Sequence, residues 1–402
     1  MNEAFFTSDV IYIAAADSSA ADKAIAEFLC TGINDQNVIQ AAVDSVATET
    51  CGEIRGRRII LLPGNYYISD FPRQNANGRA AVLVPLATNR FRHITIQISG
   101  APHTESSAIH VTREAYEGVA EDESCSIFAC GDYNQNHYVF QDFYVTVPDD
   151  QKNIICFDGR FMGSMGLRRI RCICTSQGRY LSPKKPLPVE GFVAFMGTYG
   201  SNTMWEEKWE FCHSDGFGQG FAVGREHLVL IKCAALFGRY GYTFNNYPAT
   251  RSGKCHGDIT VHPMTLISCI DEANANLWKF AKNDYKQCIN AYNVSFEIFT
   301  EWMKLGGSYS VEERPGDYSG HIDYVANFGS DTPNSPSIPF WEKGSGVGFE
   351  TVNNVHKKVC TCAERRSYSA NVGQEVFDTD LGKKLIYTGS AWYDLMGNPV
   401  DN

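Results

Sequence analysis

The sequence predicts an all-β fold: a single-stranded right-handed parallel β-helix, or solenoid, with an N-terminal helical cap and a small C-terminal β module. Three observations carry this. The segments Trp209-Glu210-Phe211-Cys212, Leu230-Ile231-Lys232-Cys233 and Leu266-Ile267-Ser268-Cys269 can be laid over one another. Nine residues after each cysteine comes an aromatic, Phe221, Tyr242 or Trp278, and two further on an apolar residue, Val223, Phe244 or Phe280. Short β-rich runs recur along the middle of the chain at roughly 20-residue intervals, widened where loops are inserted, as in stacked-coil repeats. Coils stacked at the strand spacing of about 4.8 Å put equivalent residues into columns, here one of sulfur and one of rings.

Taken in order, residues 1–90 read as an N-terminal helical cap and opening hairpin. Ala21 to Leu29 carries apolar residues at helical spacing. Asp35 caps a second helix, Gln36 to Val46, with Val38, Ile39, Ala42, Val43 and Val46 on one face. Arg58 to Ile68 reads as strand, Pro63-Gly64 turn, strand. Residues 91–355 read as the parallel β-helix. Residues 356–402 read as a C-terminal β-hairpin module with turns at Leu381-Gly382-Lys383 and Thr388-Gly389-Ser390.

The 402-residue chain has a net charge of −11 and no Lys/Arg run long enough to track phosphates. Nucleic acid is therefore not an expected partner. An acidic surface also disfavours polyanionic sugars unless a local basic patch or a cation intervenes. No stretch approaches the ~20 apolar residues of a membrane span, so no membrane insertion is expected. The opening residues lack a basic segment followed by an apolar core, which predicts a product made in the cytoplasm without a signal peptide, staying there or released by lysis. The stacked members of the fourteen cysteines lie in apolar strands and read as reduced core residues. Cys172-Ile173-Cys174 and Cys360-Thr361-Cys362 are too closely spaced for the usual zinc sites, and no metal is expected.

The segments Asn34-Asp35-Gln36-Asn37-Val38-Ile39-Gln40-Ala41-Ala42 and Ile60-Leu61-Leu62-Pro63-Gly64-Asn65-Tyr66-Tyr67-Ile68 resemble the opening module of pectate-lyase-like β-helix proteins. The tail keeps Phe377, Asp378, Thr379, Leu381, Gly382, Lys383, Tyr387, Gly389, Trp392 and Asp394. It is similar to a short module found at the ends of phage tail and prophage receptor-binding proteins. The two resemblances imply a tail-spike-like protein that binds a polysaccharide or oligosaccharide of a host surface and, in one reading, depolymerises it. A bacterial pectate-lyase-like or polygalacturonase-like enzyme and a non-catalytic structural fibre or adhesin stay open. A homotrimer is expected, because symmetry lets a fibrous protein bind repeating glycans with avidity.

Whether the chain is an enzyme is left open by the sequence, but acids fall in register. Three residues after Cys212 and Cys269 stand Asp215 and Glu272. They share a column two coils apart, about 9–10 Å between backbones. Glycoside cleavage needs one protonated and one ionised carboxyl, at about 5 Å for a retaining pair or 6.5–9.5 Å for an inverting one. Asp271, beside Glu272, and Glu297, inside the strand Val294 to Phe299, are further catalytic candidates. Trp205, Trp209, Tyr240 and Trp302 are the candidate rings for stacking on sugars. No cofactor is called for; Ca2+ enters only if the chemistry is that of a lyase, which also needs a basic residue near clustered acids.

Overall fold

The computed structural model describes residues 10–47, 57–75, 78–84, 95–101, 106–120, 122–131, 137–149, 151–176, 186–197, 207–223, 228–244, 263–280, 288–292, 294–297, 301–305, 358–366, 375–394 and 396–400. For 47, 57, 95, 244, 263–264, 276–280, 288–292, 295–297, 301–305, 358–360, 364 and 375 it describes the backbone alone.

Strands visit three sheets in rotation. Arg57–Leu61 lies in the first sheet, Gly64–Ile68 in the second and Gly78–Val84 in the third. Thr95–Ser99, Ser107–Val111 and Cys125–Cys130 repeat the order, which continues to Cys288–Tyr292, Ser295–Glu297 and Glu301–Leu305. Each strand pairs in parallel with its equivalent one turn away. The second sheet, eight strands wide, thus counts eight turns of an all-β parallel solenoid among the described residues.

The interior is one continuous apolar core. Rings of the third sheet stack through it: Phe128, Phe157, Phe195, Phe221 and Tyr242, with successive centroids 5.0 to 5.6 Å apart and planes within 17° of parallel. Trp278 is the next backbone partner of Tyr242, which gives the register expected from sequence; its side chain lies outside the described residues. Each buried phenyl group contributes roughly 1.5–3 kcal/mol of transfer energy. Cys212, Cys233 and Cys269 are free, buried and stacked on successive turns. Burial pushes the Cys233 and Cys269 thiols well above their ordinary pKa, so they act as small core hydrophobes.

Turning from the first sheet to the second takes a single left-handed residue. Asp142, Arg169, Phe211, Lys232 and Ser268 hold φ between 49° and 65° at this corner. The amide of each of the first four donates to the next turn, as from Arg169 to Glu210 and from Phe211 to Ile231. The following residue points inward; Phe143, Ile170, Cys212, Cys233 and Cys269 all do so.

The N-terminal end closes the edges that a solenoid leaves open. Val10–Ala14 pairs in parallel with Arg57–Leu61 and so covers the first sheet. Helix α2, Asp35–Ala47, buries Ile39, Ala42 and Val43 against the core. Its polar side chains then stand in for a missing strand. Asp35 accepts from the Tyr67 amide at 2.9 Å, and Gln36 from the Ser69 amide at 3.2 Å. Gln40 accepts from the Leu83 amide at 2.7 Å and donates to the Leu83 carbonyl at 2.9 Å. Arg73–Asn75 adds an antiparallel edge to the third sheet.

Two local expectations are corrected. The opening hairpin is not a hairpin: Arg57–Leu61 and Gly64–Ile68 belong to different sheets, and Pro63-Gly64 turns a solenoid corner. Gly64 sits at φ 147°, and a Cβ there would meet Ala15 Cβ at 2.6 Å. The first helix, α1, spans only Ala20–Ile25, and Phe28–Leu29 is a short strand on the edge of Val10–Ala14. None of the α1 residues is buried, so no apolar face holds the helix on, whereas the edge backbone offers hydrogen bonds.

At the other end of the chain, Glu375–Asp378, Lys383–Tyr387, Trp392–Asp394 and Pro399–Val400 form an antiparallel meander, joined by Lys358–Cys360 in parallel. Its core is Val376, Leu385 and Trp392. The buried ion pair of Arg365 with Asp378, 2.7 Å, ties helix α3, Cys362–Arg366, to the turn after the first meander strand. The Asp380 and Leu381 amides donate to the same carboxylate.

Candidate functional site on the second sheet

Alternate residues of a strand point to opposite sides of its sheet. On the second sheet two columns face outward. One runs through Tyr144, Arg171, His213, Ala234 and Ile270. The other runs through His110, Thr146, Ile173, Asp215, Leu236 and Glu272. Asp215 and Glu272 thus share one column two rungs apart, with the half-buried Leu236 between them. Glu297 is the backbone partner of Glu272 on the following rung; its side chain lies outside the described residues.

Asp215 is nearly closed off, its side chain 5 % exposed, and Arg171 reaches it diagonally across the rung, Nη2 to Oδ2 3.6 Å. Glu272 is half-buried and more open. The two acids therefore sit in unlike settings, one beside a guanidinium. Nearer the N-terminus, His110 Nε2 donates to Asn65 Oδ1 at 2.8 Å, and its Nδ1 accepts from the Thr146 hydroxyl at 2.7 Å. Burial holds the imidazole pKa below its ordinary value, so it stays neutral. The Tyr67 ring lies 5.4 Å from it. At the far ends of the strands Ser107–Val111, Tyr144–Val147 and Arg171–Cys174 lies an open hollow of about 400 Å³. Arg113, Tyr116, Glu117, Pro148, Asp149 and Ser176 line it.

The structure does not place every sequence candidate on this face. Asp271 points inward, is fully buried, and accepts from Asn274 Nδ2 at 2.6 Å. Burial raises its carboxyl well above the usual carboxylate range, so it is a neutral core acid out of reach of any substrate. The reason is strand parity: its neighbour Glu272 faces out, so Asp271 faces in. Trp209 is also interior, wholly unexposed, its Nε1 donating to the Met165 carbonyl at 2.8 Å. Tyr240 is 1 % exposed on the third sheet, whose outer cluster Ile155, Val193, Met196 and Ala222 is likewise buried. Neither ring offers a face to a sugar. Trp205 lies outside the described residues, and of Trp302 only the backbone is described, in the strand Glu301–Leu305. Sequence reasoning missed Arg171. Its signal was the cluster Arg168-Arg169-Ile170-Arg171, three cations around one solenoid corner.

No family description and no curated protein matches the sequence. Among solved structures, the chain is similar to the bacteriophage CBA120 tailspike protein 3, at 11 % identity over 91 % of this chain and 67 % of that one, with a TM-score of 0.19. A likeness of that degree carries no argument about function.

Proposed function

We propose that the chain is a tail-spike-like protein that binds a cell-surface polysaccharide along its solenoid and hydrolyses it with Asp215 and Glu272 as the acid pair. The observation that carries this reading is the shared outward column of the two carboxylates, two rungs apart. Two rungs separate their backbones by about 9–10 Å, compatible with the wider spacing of an inverting pair. Asp215, beside Arg171, is the group to hold ionised as base, and Glu272 the proton donor. The coil is right-handed, as parallel crossover connections overwhelmingly are. The protein is a homotrimer, bringing three such faces to a repeating polymer. A light-scattering mass of one chain would remove the trimer from the reading.

The test is substitution by amides. Asp215→Asn and Glu272→Gln each keep shape and remove the ionisable group. Each lowers turnover of a host glycan by orders of magnitude while binding persists, because the acids act mainly in the transition state. Unchanged turnover in both variants removes the pair. Binding without turnover by the wild type supports an adhesin instead.

The ion pair of Arg171 with Asp215 favours a second reading, a lyase in which a basic side chain abstracts the proton next to a uronate carboxyl. Ca2+ would then neutralise that carboxylate, with acids of this face holding the ion. Lyase products carry a new C=C bond conjugated to the carboxylate and absorb in the ultraviolet, and chelation stops their formation. Hydrolase products do neither.

A further inference from the structure

Along the corner between the first and second sheets the chain sets large side chains where the backbone favours glycine. Phe211 and Lys232 occupy consecutive left-handed positions, φ 55° and 52°, with Arg169 one rung before them at 49°. Glycine adopts this conformation freely and a side chain resists it. Packing does not explain Phe211, which is 47 % exposed. The corner demands a left-handed residue at every turn, so what calls for a reason is the large side chain set there in place of glycine.

What these side chains present is positive. Lys232 Nζ lies 5.7 Å from the centroid of the Phe211 ring. Arg168, Arg169, Arg171 and Lys208 flank the same ridge. Two of their counter-ions are shielded from solvent: Asp142, held by Arg169 at 2.8 Å, and Asp215 of the outward column are both buried. Glu210 is shared between Arg168 and Lys208, at 3.9 and 2.8 Å. Among the described residues, five cations, these four and Lys232, thus meet three carboxylates, two of them buried, on a chain whose overall charge is −11. By that count the ridge is locally basic on an acidic molecule.

We propose that this ridge binds an anionic polysaccharide, the Phe211 ring lying on the C–H face of one sugar while Arg169 and Lys232 pair with acidic groups to either side. The two cations stand two rungs apart, about 10 Å along the axis. That is roughly the advance of a disaccharide repeat, so a polymer acidic at every second sugar meets both. The ridge borders the outward face that carries Arg171 and Asp215, so a chain lying along it passes the acid pair. The inference rests on the glycan reading above and adds the charge of the glycan to it.

The decisive variants are Phe211→Gly and Lys232→Gly in the whole 402-residue chain. Glycine relieves the left-handed backbone, so both keep or raise Tm while losing the side chain that binds. Affinity electrophoresis through gels containing hyaluronan, dextran sulfate, neutral dextran or single-stranded DNA reads the binding. The wild type is retarded by hyaluronan, dextran sulfate or both, and not by dextran; which polyanion retards it tells carboxylate from sulfate recognition. Each variant weakens that retardation about three- to tenfold, as expected for one partly exposed cation or ring. Retardation falls further when salt shortens the Debye length to about 8 Å. No retardation by either polyanion, equal retardation by dextran, tighter binding of DNA, unchanged binding in both variants, or a Tm drop accompanying the loss each overturns the proposal. If the wild type binds a neutral host glycan and both variants do so equally, the ridge inference falls and the glycan reading stands. If it binds no host glycan at all, the glycan reading falls with it.

Discussion

Asp271 and Gly241 face each other across the solenoid interior, so closely that a Cβ on Gly241 would fall 2.1 Å from Asp271 Oδ2. The carboxyl is fully buried and braced by Asn274, which also accepts from the Gly238 amide and donates to the Ala235 carbonyl. The acid and the glycine fit as one unit. Gly241→Ala is expected to cost about 1–3 kcal/mol, the usual penalty for overpacking, read as a lower midpoint in urea. An unchanged midpoint would mean that the Asp271 side chain swings aside freely.

The same carboxyl makes stability depend on pH. Its folded pKa is raised above the ordinary 3.8 by burial, so the folded protein holds a proton that the unfolded chain releases. Stability from this group is full below about pH 4 and is lost as pH rises toward the folded value. Asp271→Asn mimics the neutral form and lacks that slope. Its urea midpoint should match the wild type near pH 4 and exceed it increasingly toward pH 8. A variant less stable at every pH would show instead that the carboxyl itself is required.

Phe195 sits in the middle of the ring ladder, 5.6 Å from Phe157 and 5.0 Å from Phe221. Phe195→Ala should cost about 3–5 kcal/mol through lost burial and the cavity left behind. Phe195→Leu should cost clearly less. Thermal unfolding of the two variants gives the comparison, and equal losses would show that stacking, not volume, dominates.

The Arg365–Asp378 ion pair gives the C-terminal module its own test. Asp378→Ala leaves a guanidinium buried without its carboxylate and should cost about 3–5 kcal/mol, more than a three-residue core can absorb. Limited proteolysis should then cut within 358–400 and leave the solenoid intact. Resistance equal to the wild type would count against the pair as the module's keystone.

The repeat was legible because parallel stacking copies a pattern from turn to turn. Cysteine and aromatic spacing alone therefore set Asp215 and Glu272 in one column. Parity was legible too: Asp271 lies two residues after the inward Cys269, and Trp209 stands between the outward Lys208 and Glu210. The Pro63-Gly64 turn was not legible, because a hairpin and a solenoid corner share the same local chemistry and differ only in distant pairing partners. Nor was the burial of Tyr240, whose ring lies under the side chain of its neighbour Arg239, 5.3 Å from the ring centroid. Arg171 stayed hidden because its partner is a turn away, 44 residues along the chain.

Asp35, Gln36 and Gln40 have a consequence for the company the molecule keeps. A parallel solenoid is in principle a template: its last rung has the same unpaired amides as every rung before it, ready to recruit another chain. Here three side chains of a single helix take hydrogen bonds at Tyr67, Ser69 and Leu83 that a further rung would have made on the second and third sheets. Another chain adding a rung there would first have to displace them.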